Sequence, residues 1–257
     1  MPVRLRVVTF DDLDAWHDYA GSPWGRIRYA VVAHTLAREI DRLGGGPLRI
    51  LDVGGGDGLD VLPLAQAGHD VTVVDTSEAM LAAARASATR RGVAIDTRVG
   101  SLDDLTGLRD FDLVLCHFLL QYRAPATGDL AALLATARPG GLVSIVAPNP
   151  ASRVLSALVR TGPADALASL GAESERSVTF DTEVRKIDPD VTAAALAALG
   201  APVVARYGGR IANDLITDED AKHDPAFYAD LERLELALCD REPFLRIGMF
   251  WQLVAQR

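Results

Sequence analysis

The 257-residue chain has almost no lysine. Lys186 and Lys222 are the only two, so its 26 positive charges are nearly all arginine, and 35 acidic residues bring the formal net charge to −9. Broad, non-specific nucleic-acid binding needs a basic surface, and this balance argues against one. Cysteine is scarce as well. Cys116 and Cys239 lie far apart in apolar surroundings, the usage of reduced core thiols and not of a disulfide framework. No apolar run approaches the ~20 residues of a membrane span. The opening MPVRLRVVTFDD lacks the apolar stretch of an export signal, so a cytoplasmic location is expected. There is no internal repeat and no low-complexity linker, while a hydrophobic fraction of 49% excludes a disordered chain.

What is present is centred on residues 48–59, LRILDVGGGDGL. Apolar residues Leu48, Ile50, Leu51 and Val53 read as a buried strand that breaks into glycines and resumes as a helix, the layout of a nucleotide-type site. From there strands and helices alternate. Strands are expected over 48–53, 70–75, 94–99, 112–117 and 142–148, with helices over 59–67, 77–91 and 127–137. Repeating β-α units of this kind give a parallel sheet with right-handed crossovers. Arg138-Pro139-Gly140-Gly141 reads as a tight turn into the fifth strand.

The flanks divide into further parts. Residues 1–46 form a lid segment: a polar and aromatic lead-in over 1–25, then a helix over 27–43 carrying Ile27, Val31, Val32, Leu36, Ile40 and Leu43 near a 3.6-residue period. Residues 47–150 are the cofactor-binding core. Residues 151–187 read as a cap insertion, small, polar and acidic between Thr161 and Lys186 and without a clean period. Residues 188–257 complete the same domain with a helix over 190–199, a strand over 203–207, a long helix capped by Asp224-Pro225 and a final strand over 249–255. Such an ending suits an antiparallel hairpin at the edge of a mostly parallel, seven-stranded α/β sheet.

The glycine loop fits G-x-G-x-G, through Gly54, Gly56 and Gly58. A dinucleotide loop would need glycine where Leu59 stands. Asp52, Asp57, Asp60 and Asp75 crowd the mouth, where a pyrophosphate would be repelled and a cation is suited. This favours S-adenosylmethionine, whose sulfonium and ammonium are positive, over NAD. Asp75 ends the second strand at the spacing where a carboxylate meets a ribose, and Thr76 and Met80 follow it. Ser101 and Leu102 stand at the end of the third strand, placed for adenine. His117 ends the fourth and is expected to contact the cofactor. Arg28, with Arg26 as competitor, offers a fork-shaped partner to the cofactor carboxylate. Gly54, Gly55 and Gly56 complete the expected cofactor set. Tyr19, Trp24, Tyr122 and Asn149 are substrate-side candidates, and Arg26, Arg153 or Arg210 could clamp a carboxylate acceptor. No catalytic dyad and no metal site is evident.

LDVGGGDG, the strand-ending Asp75, SLDDL and RPGGLVSIVAPN resemble class I S-adenosylmethionine-dependent methyltransferases. That resemblance implies a Rossmann-like three-layer sandwich. GRIRYAVV, CHFLLQY, IANDLI and FYADLERLELALCDREPFLRIGMF narrow the likeness to the tRNA 5-carboxymethoxyuridine methyltransferases. In that family the positions matching Arg28, Gly54, Gly55, Asp75, Ser101, Leu102 and His117 hold the cofactor. Its lysine-rich segments have no counterpart here, where the cap reads GPADALASLGAESERS. The expected activity is therefore methyl transfer to a small-molecule acceptor, at an oxygen of a carboxylate or hydroxyl. A tRNA wobble-uridine carboxyl methyltransferase is the alternative, disfavoured by the acidic charge, with a non-catalytic cofactor-binding protein third.

Overall fold

A computed structural model describes residues 13–124, 128–172, 174–177 and 182–257. Two helices come first, α1 (Leu13–Gly21) and α2 (Pro23–Arg42). Ser22 separates them. Its hydroxyl oxygen accepts from the Gly25 amide at 3.1 Å, and Pro23 takes the first helical position, where a missing N–H costs nothing. The lid helix thus begins a turn before Ile27, and the lead-in is itself helical from Leu13. The first twelve residues lie outside the described part.

The alternating core follows as β1 (Arg49–Val53), α3 (Leu62–Gln66), β2 (Asp70–Asp75), α4 (Glu78–Arg90), β3 (Asp96–Val99), β4 (Phe111–His117), α5 (Asp129–Thr136) and β5 (Ala137–Pro148). Ser77 caps α4 by accepting from the Met80 amide at 3.2 Å. Thr127, expected to open α5, is outside the described residues. The Arg138–Gly141 turn is an irregularity within β5. Ala137 still pairs with Phe111, but the next pair is Leu142 with Leu113. A Cβ on Gly141 would meet the Phe111 carbonyl oxygen at 2.9 Å, so only glycine passes this crowded step.

The cap region is more regular than its composition suggests. It begins with α6 (Pro150–Arg160), and α7 (Pro163–Gly171) follows it. A two-stranded antiparallel ribbon comes next, β6 (Ser174–Ser177) and β7 (Thr182–Arg185). The chain closes with α8 (Pro189–Ala198), β8 (Val203–Gly209), α9 (Pro225–Leu238) and β9 (Phe250–Gln256).

The main sheet has seven strands in the order β3-β2-β1-β4-β5-β9-β8. The β3-β2-β1-β4-β5 pairs are parallel, and β9 is antiparallel to both β5 and β8. The expected antiparallel ending is present, with β9 inserted between its neighbours and β8 at the edge. Alternation along the strands sends Ile50, Leu113, Leu142 and Val254 to a core shared with α2, α3 and α9, and Leu51, Val114, Val143 and Leu253 to one shared with α5 and α8. This is a three-layer α/β sandwich. Each fully buried Leu or Val contributes about 1.5–3 kcal/mol of transfer free energy. Strand order reverses between the parallel neighbours β1 and β4, the topological switch point where a ligand crevice opens beyond the strand ends. No helix among the described residues is long and apolar enough to cross a membrane.

Gly208, on β8, faces the backbone before β9. A Cβ there would lie 2.2 Å from the Leu245 carbonyl oxygen. Backbone cannot rotate away, so Gly208→Ala is expected to cost about 1–3 kcal/mol. Urea unfolding measures this, and an unmoved midpoint would contradict the crowding.

Candidate functional site

At the switch point lies a cavity of about 1000 Å³. Its floor is the glycine loop. Gly54 and Gly56 adopt φ of +74° and +54°, and a Cβ on Gly55 would lie 2.4 Å from Asp52 Oδ2. The loop is thus pressed onto the buried Asp52 and presents backbone alone to a ligand. Asp75, at the end of β2, accepts from the Gly56 amide through Oδ2 and from the Ser77 amide through Oδ1, both at 2.9 Å. These bonds fix the carboxylate beside the loop. Ser101 opens a short 3-10 turn as a capping box with Asp104, which leaves Ser101 and Leu102 in the cavity wall.

From the lid, α2 delivers Arg28. Its Nη2 donates to Asp60 Oδ2 at 2.7 Å and its Nη1 donates to Asp60 Oδ1, a bidentate pair that is almost wholly buried. The guanidinium also lies over the Tyr29 ring at 4.2 Å and the Phe118 ring at 5.1 Å. Asp60 bonds in turn to His117 Nδ1 at 3.0 Å, and His117 Nε2 to Ser144 Oγ at 2.9 Å. Phe118, next to His117, holds φ at +53°, a backbone state that costs a bulky residue free energy and clusters at functional sites.

The acidic groups split electrostatically. Burial pushes the Asp52 carboxyl well above its ordinary range, and burial raises Asp57 and Asp75 despite their hydrogen bonds. Burial would raise Asp60 too, but the Arg28 guanidinium and the His117 bond outweigh it and hold this carboxyl below its usual range. Burial lowers His117, which favours a neutral ring.

The cap supplies a different chemistry. Arg153, Ser156 and Arg160, at i, i+3 and i+7 on α6, line the cavity, joined by Arg210 from the segment after β8. Arg160 donates to Glu219 at 2.8 Å, and Arg210 to Asp214 Oδ1 at 2.6 Å. Arg210 is a second strained non-glycine residue in the wall, with φ at +54°. Residues 151–187 hold five basic and five acidic residues, and α6 places two of those arginines in the cavity wall.

All the expected cofactor positions line this one cavity: Arg28, Asp52, Gly54, Gly55, Gly56, Asp75, Thr76, Met80, Ser101, Leu102 and His117. Tyr19, Trp24 and Tyr122 are there too. Asn149, expected on the substrate side, is not in the wall. It caps α6 by accepting from the Ala151 amide at 3.1 Å and donates to the Arg246 carbonyl at 2.8 Å, so its polar atoms are committed to structure. Arg26 turns to the outer side of α2, its guanidinium 4.0 Å over the Tyr228 ring. Tyr29, Gln121 and Arg123 line the wall without having been expected. The i, i+3, i+7 spacing on α6 was a signal for Ser156 and Arg160; nothing local marks Gln121.

A family profile described as a methyltransferase domain matches residues 50–141. The tRNA 5-carboxymethoxyuridine methyltransferase of Escherichia coli (strain K12) is 26% identical over 241 residues, 92% of this chain and 90% of that protein. The structure of magnesium protoporphyrin IX methyltransferase from Synechocystis PCC 6803 with bound SAH superposes with a TM-score of 0.64 at 18% identity, covering 96% of each chain. The chain is a class I S-adenosylmethionine-dependent methyltransferase. Among other relatives of this methyltransferase, the ubiquinone biosynthesis O-methyltransferase of Bradyrhizobium diazoefficiens is 34% identical over 180 residues, 65% of this chain and 66% of that one. A glycine cradle ringed by carboxylates and free of lysine fits a cofactor that is cationic at sulfur and nitrogen and bears no phosphate.

The raised carboxyls give this methyltransferase a sign for its pH dependence. A cation favours the ionised forms of Asp52, Asp57 and Asp75, so binding lowers their pKa values and releases protons. Affinity for S-adenosylmethionine is expected to rise as pH climbs through the raised titration range of these carboxyls. Its binding enthalpy should vary with buffer ionisation enthalpy, and do so more than that of S-adenosylhomocysteine, which lacks the sulfonium charge. Buffer-independent enthalpies for both would contradict this electrostatic reading.

Proposed function

We propose that the methyltransferase transfers its methyl group to a carboxylate oxygen of a small-molecule acceptor held at the arginine-lined part of the cavity. The observation carrying this reading is Arg153, Arg160 and Arg210 in the wall of the cavity that also holds the glycine cradle. A guanidinium fork is the natural partner of a carboxylate. The state of His117 supports the same acceptor. Both its ring nitrogens are engaged, by Asp60 and Ser144, so it has no lone pair to take a proton from a hydroxyl or amine. A carboxylate is already ionised and needs no base.

S-adenosylmethionine supplies, when bound, a methyl group already activated on its sulfonium. The protein's share is then orientation and exclusion of water. Asp75 would take the ribose hydroxyls, the glycine loop the methionine portion, Arg28 the cofactor carboxylate through N–H groups left over from Asp60, and Leu102 and Met80 the adenine faces. Arg153 and Arg210 would orient the acceptor oxygen, with Tyr19, Trp24 and Tyr122 walling off solvent.

The second reading is a tRNA acceptor. It rests on the Escherichia coli relative, whose similarity runs through 92% of this chain and whose named target, 5-carboxymethoxyuridine, ends in a carboxylate. The net charge of −9 and the lysine-poor cap weigh against it. Mass spectrometry of wobble nucleosides from a deletion strain separates the two: unchanged methyl-ester content removes the tRNA reading.

Asp75→Ala is expected to weaken cofactor binding by ~1.5–3 kcal/mol, the range for hydrogen bonds to a charged group. Calorimetry showing wild-type affinity would remove the ribose role. With radiolabelled cofactor and a panel of carboxylic acids, the product label should be base-labile, as methyl esters are. Arg153→Met should raise the acceptor KM by about tenfold or more while changing kcat less. Base-stable label throughout would sink the carboxylate assignment.

A further inference from the structure

Beneath the cavity floor, a line of polar side chains crosses the apolar face of the sheet. It starts on α2 at Arg28, runs through Asp60 to His117 on β4, Ser144 on β5 and Gln252 on β9, and returns to α2 at Thr35. Thr35, Ser144 and Gln252 are fully buried, and Arg28 and His117 nearly so. Apolar residues could fill this layer, and a buried polar network is tolerated only when each member is satisfied. We infer that Ser144, Gln252 and Thr35 are positioning residues, whose hydrogen bonds all run toward Asp60 and thereby fix His117 and Arg28 in the cofactor seat.

The direction follows from counting hydrogens. Gln252 Nε2 donates to Ser144 Oγ at 2.9 Å, and Thr35 Oγ1 donates to Gln252 Oε1 at 2.7 Å. Ser144 has one hydroxyl hydrogen, which is left for His117 Nε2 at 2.9 Å. The ring proton of a neutral imidazole then stands on Nδ1, directed at Asp60 Oδ2 at 3.0 Å. Thr35 could serve the reverse order, since the Val32 carbonyl is also in reach at 3.0 Å. Reversal, however, would place a proton on His117 Nε2 and turn a bare Nδ1 lone pair onto the Asp60 carboxylate. The carboxylate, locked by Arg28, therefore selects the direction of the whole line.

The line begins and ends on the same helix. Arg28 and Thr35 are seven residues apart, one face of α2 about 10 Å along its axis. Two points on the lid helix are thus pinned to three adjacent strands. A helix free to slide or rotate would carry Arg28 off the cavity. Held at both points, it keeps the guanidinium on Asp60 and its remaining N–H groups toward the ligand. Gln252 and Ser144 touch neither cofactor nor acceptor in this arrangement and act through His117 and Asp60.

Nitrogen-15 NMR of histidine-labelled wild-type protein at pH 7 tests the assignment. The His117 resonance is identified by its loss in His117→Gln. It should report a neutral ring protonated on Nδ1, the tautomer less favoured by a free histidine side chain. Gln252→Glu keeps the shape but removes the donor to Ser144. The Ser144 hydroxyl then turns to the new carboxylate, His117 Nε2 must carry a proton, and both ring nitrogens should read as protonated. Cofactor affinity should weaken in Gln252→Glu and Ser144→Ala by about tenfold, one net hydrogen bond, while kcat at saturating cofactor changes by about twofold at most. Ser144→Thr, which keeps the hydroxyl, should recover most of the affinity. A wild-type His117 protonated on Nε2 would overturn the relay, as would variants that leave the His117 spectrum and the cofactor affinity unchanged.

Discussion

The buried pair between Arg28 and Asp60 is the constraint on which the rest of the site depends. Two charges taken out of water are costly, and their attraction offsets that cost only with good geometry and further hydrogen bonds. Both conditions hold here: the contact is bidentate, and His117 supplies another donor. The pair joins the lid helix to the segment after the glycine loop, two parts of the chain 32 residues apart. It also divides the acidic cluster. Asp60 stays ionised because a guanidinium faces it, while Asp52, Asp57 and Asp75 are left to respond to what enters the cavity.

The cavity consequently carries two signs. Carboxylates surround the glycine cradle, and arginines project from α6 and from the turn after β8. The overall charge of −9 conceals this, because it sums a surface and an interior that do different work. A cationic donor and an anionic acceptor would each find the opposite charge, and the low dielectric of a walled cavity strengthens both attractions.

Much of this was legible along the chain. The glycine spacing, the strand-ending Asp75 and the Ser101 turn depend on residues close in sequence, and each stands where the pattern put it. β2 runs from Asp70 to Asp75 as its apolar run predicts. What could not be read is mostly contact at a distance. Thr35 and Gln252 are 217 residues apart and His117 and Asp60 57 apart, and no local periodicity announces such partners. Asn149 misled for the opposite reason: an Asn before a proline at a strand end suits both a ligand contact and a helix cap, and the cap prevailed. The cap itself lacked a period because α7 exposes apolar Leu167 and Leu170, so its sequence does not alternate as a buried helix would.

The place of β9 bears on how such a chain assembles. β5 and β8 never touch as neighbours; β9, which follows both in the chain, fills the gap between them. Until it docks, β8 has no partner strand and β5 ends the sheet with an open edge, the arrangement most prone to stray pairing. Closing this part of the sheet needs contacts between residues more than a hundred positions apart, as for Ser144 with Val254. Such non-local pairing is slow to form. The same strand carries Gln252. Maturation of the cofactor seat and closure of the sheet are thus one cooperative event: a chain that has not threaded its final strand has neither.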